Sequence, residues 1–238
     1  MFAVIIALVL IGVGAIIIYS GVTAGQRLRV ISDTPTTPVS QLTSGAAEVK
    51  GRVTLMGPGV VSPLSRTPCV LFRFEVQEWK QNGRHGHWHT IINDLQDGGL
   101  GLDDGSGKVR LQAREAELLL DTDAHAKSGT FNAASPELEA TMQAYGRSTK
   151  GWIFNKGLKY SETMLQQGDE LYALGAVLSA PEGGWELRKG AASPYFIVSD
   201  WGEERLLEHF AGSRVWRFVG GGALLVAGLA TAVLFTPR

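Results

Sequence analysis

Three histidines, His85, His87 and His89, alternate in the string HGHWH. Alternate residues of a strand share a face. Three imidazoles on one side of a hairpin could therefore ligate a metal ion. The competing reading is a histidine-rich hairpin edge with Trp88 turned inward, and no acidic residue close in sequence completes a ligand set. GLDDGSGKV imitates a phosphate loop only loosely. Against the pattern G-x-x-x-x-G-K-[ST], one residue too many separates Gly101 from Gly107, and Val109 follows the lysine. Asp103 and Asp104 fit a tight hairpin turn whose amides they bond. Gly168-Asp169-Glu170 offers two carboxylates for acid–base work, but a turn ahead of the strand LYALGAV explains them as simply. Cys69 opens an apolar strand and reads as a core residue, since a nucleophilic thiol would need a positioned histidine. No catalytic set and no cofactor follow, and His85, His87 and His89 are the one metal-ligand set on offer.

The elements that position these residues read as mainly β. CVLFRFEVQEW, residues 69–79, places Phe72, Phe74 and Val76 on one face and Arg73, Glu75 and Gln77 on the other. That alternation marks a half-buried antiparallel strand. Asn82-Gly83 supplies a hairpin turn, with the return strand near His87–Ile92. A second hairpin turns at Gly105-Ser106-Gly107. Further strands fit 160–165, 170–178, 185–189 and 195–198. Gly175 within its strand marks a bulge or a close backbone approach. Residues 121–134 read as loop. SPELEATMQAYG, from Ser135 to Gly146, has a helix N-cap and a glycine stop. The fold class is a mainly antiparallel β domain, barrel-like or a curved sheet, with one or two helices and two transmembrane α-helices.

Residues 2–19 and 218–235 carry no charge. At ~1.5 Å per residue each apolar run spans about 27 Å, close to a ~30 Å hydrocarbon core. No basic residue precedes the first run, which is longer than a signal-peptide core, so an anchor fits better than a cleaved leader. The organisation is a transmembrane helix at 1–22, a linker at 23–45, a β-rich domain at 46–212, a transmembrane helix at 213–235 and a tail at 236–238. SDTPTTPVSQLTSG, residues 32–45, is the Pro-, Ser- and Thr-rich part of that linker. Asp200 and Glu203 form a capping-box pattern for a helix that runs on toward the second span, with Trp216 at the interface. Gly12 and Gly14 in the first span face Gly221, Gly222, Ala223, Ala227, Gly228 and Ala230 in the second as a possible packing pair. Arg27, Arg29, Arg214 and Arg217 lie on the domain side of the spans. The positive-inside rule then puts the domain in the cytoplasm and both termini outside.

Residues 30–213 hold 17 basic and all 23 acidic residues, a net of −6. A nucleic-acid interface needs a basic face, so an oligonucleotide-binding barrel is disfavoured. The single cysteine excludes an intramolecular disulfide framework and any zinc site built from several thiolates. The expected partners are the lipid bilayer and a membrane protein, or a second copy through the helices, with no nucleic acid.

SPLSRTPCVLFRFEVQEW at 62–79, LDDGSGKVRLQAREAE at 102–117, YSETMLQQGDELYALGAV at 160–177 and SPYFIVSD at 193–200 stand in order between the two apolar runs. This set resembles the GIDE, or beside-a-membrane, domain of mitochondrial E3 ubiquitin ligases of the mulan/MAPL type, over about residues 46–210. The resemblance implies a membrane-proximal β domain, facing the intermembrane space in the mitochondrial members, which conflicts with the arginine count. Those ligases carry a RING after the second helix. Two zinc ions at roughly four ligands each need more Cys and His than the one Cys and five His present here. The expectation is a RING-less, non-catalytic scaffold at the membrane surface. The alternatives are a ligase component acting with a separate catalytic protein, and a metal-binding membrane enzyme using the histidine hairpin.

Overall fold

The computed structural model describes residues 2–83, 85–128, 135–149, 157–181 and 183–235. In chain order its elements are α1 (Phe2–Asp33), β1 (Gly45–Leu55), β2 (Val60–Val61), β3 (Pro68–Cys69), β4 (Leu71–Asn82), β5 (His85–Asp97), β6 (Leu100–Asp103), β7 (Lys108–Leu111), β8 (Glu117–Leu119), β9 (Ala124–Ser128), α2 (Pro136–Ala144), β10 (Leu158–Leu165), β11 (Glu170–Ser179), β12 (Trp185–Arg188), β13 (Ile197–Ser199) and α3 (Glu203–Phe235). They divide into two compact units. Thr36–Trp201 is one, and Met1–Pro35 with Gly202–Arg238 is the other.

In the first unit, β1, β6, β7, β12 and β11 pair in that order, and β1 also pairs with β11. Five strands thus close into a barrel, in which the β7–β12 seam is parallel. Closure leaves these strands no free edge. The side chains of Val49, Leu102, Leu111, Val177 and Leu187 fill the interior and are buried. Gly51 sits where β1 passes from β11 to β6, next to Arg52, which pairs with both Glu170 and Asp103. A Cβ there would strike the Asp103 carbonyl and lie 2.8 Å from Leu102 Cδ2. The close approach expected at Gly175 is present, since a Cβ would lie 2.7 Å from the Phe196 ring.

β5, β4, β10 and β9 form a second, antiparallel sheet. Phe74, Val76, Leu158 and Tyr160 line its inner face, and Met142 of α2 completes that core. The helix starts as its sequence demands. Ser135 Oγ accepts the Leu138 N–H at 3.3 Å, and Gly146 takes φ +66° while Arg147 N–H returns to the Met142 carbonyl at 2.8 Å.

Three expectations differ from the structure. The first helix does not stop at residue 22 but continues through Asp33. The segment read as linker then packs: Val39 and Leu42 are buried in the barrel core, and Val39 N–H donates to Asp104 at 2.8 Å. Its Pro, Ser and Thr content hid two apolar anchors. Part of the stretch 121–134 is not loop, because 124–128 form β9 on the edge of the second sheet, while 129–134 lie outside the described residues.

In the second unit α1 and α3 run antiparallel, and both are apolar and long enough to cross a bilayer. Ala7 meets Gly228, Gly14 meets Gly221, Gly21 meets Phe218 and Gly25 meets Arg214. The contacts on α1 recur mostly every seventh residue, the spacing that keeps one face toward a partner. A Cβ on Gly14 would lie 2.9 Å from the Gly221 carbonyl, and the reverse holds too. Gly12, Gly220 and Gly222 have open space instead, so only part of the expected small-residue face packs. Gly221→Leu should loosen this pair. Overpacking costs about 1–3 kcal/mol, and the helices should melt earlier in detergent by circular dichroism while the barrel's tryptophan transition stays put.

Candidate functional site

β10 alternates Leu158, Tyr160, Glu162 and Met164 onto the inner face of the second sheet. Glu162 breaks the apolar pattern and is fully buried. Its carboxylate accepts the Leu64 N–H at 2.7 Å, the Ser65 N–H at 3.2 Å and the Ser65 hydroxyl at 2.6 Å. These bonds clamp the loop between β2 and β3. Ser62 N–H and the Thr67 carbonyl close the loop at 3.0 Å. Thr141 of α2 donates to the Pro63 carbonyl at 3.2 Å and accepts from Arg66 Nη2 at 3.2 Å. Arg66 itself has φ +57°, a conformation that costs a side-chain-bearing residue about 1–2 kcal/mol. The clamp holds a strained loop in one shape.

Cys69 sits below this loop and is 7% exposed. Burial pushes its thiol up to about 11, the Glu162 carboxylate adds to the rise, a hydrogen bond from the Ser62 backbone opposes it, and Asp123 adds a little more. A thiol so placed stays protonated at neutral pH and is a poor nucleophile. Because the folded value is the raised one, this group's stabilisation is complete below the ordinary value of 9.0 and is lost as pH climbs toward 11. At pH 8 a rise of two units leaves about 100-fold less thiolate. Alkylation of the native chain should therefore run at least ~100-fold slower than in denaturant, read by mass spectrometry; equal rates would contradict it. Tyr145 is also shifted away from use as an acid or base: burial, then its 2.7 Å bond to Asp94, raises its pKa. Beside the loop an apolar groove of about 330 Å³ is lined by Leu55, Val60, Val61, Cys69, Val70 and Gln167.

The histidine hairpin is formed as expected, but its three imidazoles do not converge. His85, His87 and His89 are exposed along one face of β5, opposite Asn82, Lys80 and Glu78. At ~3.3 Å rise per residue the outer two lie about 13 Å apart along the strand, too far to share one ion. Among the described residues no group of three or more His, Cys, Asp or Glu could hold a metal. Trp88 does not turn into the core. It pairs across the hairpin with Trp79, ring centroids 5.2 Å apart, on the face opposite the histidines. Both rings are partly exposed, at 42% for Trp79 and 37% for Trp88. Lys159 Nζ stands 3.9 Å from the Trp88 centroid.

The look-alike phosphate loop is already full. Asp103 accepts the Gly105 N–H at 2.9 Å, and Asp104 takes those of Ser106 at 2.8 Å and Gly107 at 3.1 Å. Burial would raise the Asp104 pKa, but its bonds from Val39, Ser106 and Gly107 outweigh that and hold it low. Carboxylates occupy the amides a phosphate would need. Asp169 likewise caps its own turn, accepting Gln166 N–H at 2.7 Å.

The sequence model of the GIDE family, described as an E3 ubiquitin ligase, matches residues 74–234. The chain belongs to the GIDE family. The match runs from within β4 to α3 and leaves out β1, β2 and β3, so the GIDE region includes Glu162, the Trp79–Trp88 pair and the second apolar helix. No curated protein matches the chain. The one cysteine of the sequence, Cys69, lies just ahead of the matched residues and is buried. Two features went unread in the sequence. Glu162 was signalled by a lone acid on the apolar face of an alternating strand. The tryptophan pair was signalled by two indoles flanking an Asn-Gly turn.

Proposed function

We propose that this GIDE-family chain is a two-pass membrane protein whose β domain is a non-catalytic module that holds a partner at the membrane surface. The observation that carries the reading is the pairing of a clamped, rigid β domain with two helices apolar enough to span a bilayer. The state of the reactive groups supports it. Cys69 is held protonated, Tyr145 is shifted upward, and the turn carboxylates Asp104 and Asp169 bond their own backbone. The arginines support a cytoplasmic domain with both termini outside. Arg27 lies over Phe210 and Arg214 over Phe218, while Arg217 donates to the Ser20 carbonyl at 3.0 Å. These contacts gather cations at one end of the helix pair, the arrangement the positive-inside rule reads.

A second reading follows from the family's description: the chain is a ligase component that positions substrate for a separate RING protein. Incubating the purified full chain with ubiquitin, activating and conjugating enzymes and ATP tests both. The scaffold reading expects no conjugates above the chain-free control. Conjugates formed by the chain alone would overturn it, and conjugates that appear only with an added RING protein would favour the second reading.

A further inference from the structure

The tip of the β4–β5 hairpin has a composition at odds with the rest of its domain. The domain is acidic overall, with 17 basic against 23 acidic residues between 30 and 213. Beside the tip, Lys127 and Lys159 lie on the same face as the Trp79–Trp88 pair, while Lys80 lies on the other face, opposite His87. Lys127 and Lys159 face each other across β9 and β10, and Lys159 also neighbours Gln77 of β4, two residues from Trp79. Lys159 stacks on Trp88. Glu75, the nearest acid on the same face, is engaged by Gln77 at 2.6 Å and Thr90 at 3.3 Å. The indoles are held rather than loose: the Trp79 ring lies over Gly86, where a Cβ would collide with it. A rigid, half-exposed indole pair flanked by two ammonium groups is the chemistry of a membrane interface, where the ring lies among headgroups and lysines meet lipid phosphates.

We propose that this tip docks on the anionic headgroups of the bilayer that holds the chain. The proposal rests on the two helices being anchored there. Anchoring makes the contact intramolecular, so a weak surface suffices. The acidic remainder of the domain is repelled by the same lipids, which leaves the tip as the favoured contact.

The test uses the full chain in bilayer discs of phosphatidylcholine alone and of phosphatidylcholine with on the order of one third phosphatidylserine, a composition that sets a negative surface potential. Hydrogen exchange at residues 77–81 and 86–90 should slow by ~10-fold or more in the anionic discs. The protection should vanish in high salt, which screens headgroup charge, and in Lys127→Gln/Lys159→Gln. Unchanged protection at 71–76 reports that the variant is folded. Equal tip exchange in both discs overturns the proposal, as does protection that persists in detergent with a bound protein, which would make the tip a protein-docking surface. Alkaline carbonate extraction of membranes separates the two readings. Release of the chain refutes anchoring and the proposal with it, whereas a retained chain with an unprotected tip refutes the tip contact alone.

Discussion

Glu162→Ala should melt the module at a markedly lower temperature. The substitution leaves the N–H groups of Leu64 and Ser65 without the acceptor they have in the fold, and Arg66 loses the frame that keeps it at φ +57°. Hydrogen bonds to a charged group are worth roughly 1.5–3 kcal/mol each. Removing the buried carboxylate also relieves its desolvation, so a net loss of about 3 kcal/mol is expected. In a domain of this size each kcal/mol moves the transition by roughly 2–4 °C, which gives a fall of about 6–12 °C by tryptophan fluorescence. Glu162→Gln keeps one acceptor oxygen but turns an NH2 group toward donors, so it should lose about half as much. Ser65→Ala removes the hydroxyl bonds to Glu162 and to Ser62 and should cost about 2 kcal/mol. A transition unchanged in Glu162→Ala would mean that the loop holds its shape without the clamp.

Gly51→Val should open the barrel. A Cβ at this position already meets the Asp103 backbone, and the two extra methyl groups have no space on the β1–β6 seam. Backbone cannot move aside as a side-chain end can, so the cost should be about 3 kcal/mol or more, at the top of the overpacking range. Gly51→Ala should cost less. Exchange of the β6 amides at Leu100–Asp103 should rise in both variants, more in the valine. Gly105→Ala is the comparison: φ +83° with no neighbour within 4 Å, so it carries only backbone strain of ~1 kcal/mol. Gly51→Val at parental stability would show that the seam tolerates separation.

Much of the fold was legible because its signals are local. Period-two alternation at Phe72, Phe74 and Val76 gave β4, Asn82-Gly83 gave the hairpin, and Ser135 with Gly146 bounded α2. Barrel closure was not local. It depends on β1 pairing with β11 across more than a hundred residues and with β6 across about fifty, and on a parallel β7–β12 seam, which no single window contains. The buried role of Val39 and Leu42 was hidden for the same reason, since their partners lie on distant strands. The histidine string was legible as a pattern, and the strand spreads its three imidazoles along one exposed face. Shared faces do not bring side chains together when the strand rise separates them. Glu162 shows the converse. One acid on an apolar face was visible, and its use became clear only once the 62–67 loop was placed over it.

The proposed function requires that the β domain, and not the helices, holds a partner at the membrane. The direct measurement is in-cell crosslinking of the tagged full chain, detergent extraction and mass spectrometry. It is run beside a chain in which residues 46–201 are replaced by an unrelated soluble domain between the same helices. A reproducible partner that is lost on replacement is expected, and its compartment also reports the side on which the domain lies. Recovery of the chain alone, or of the same partners with both chains, would contradict it.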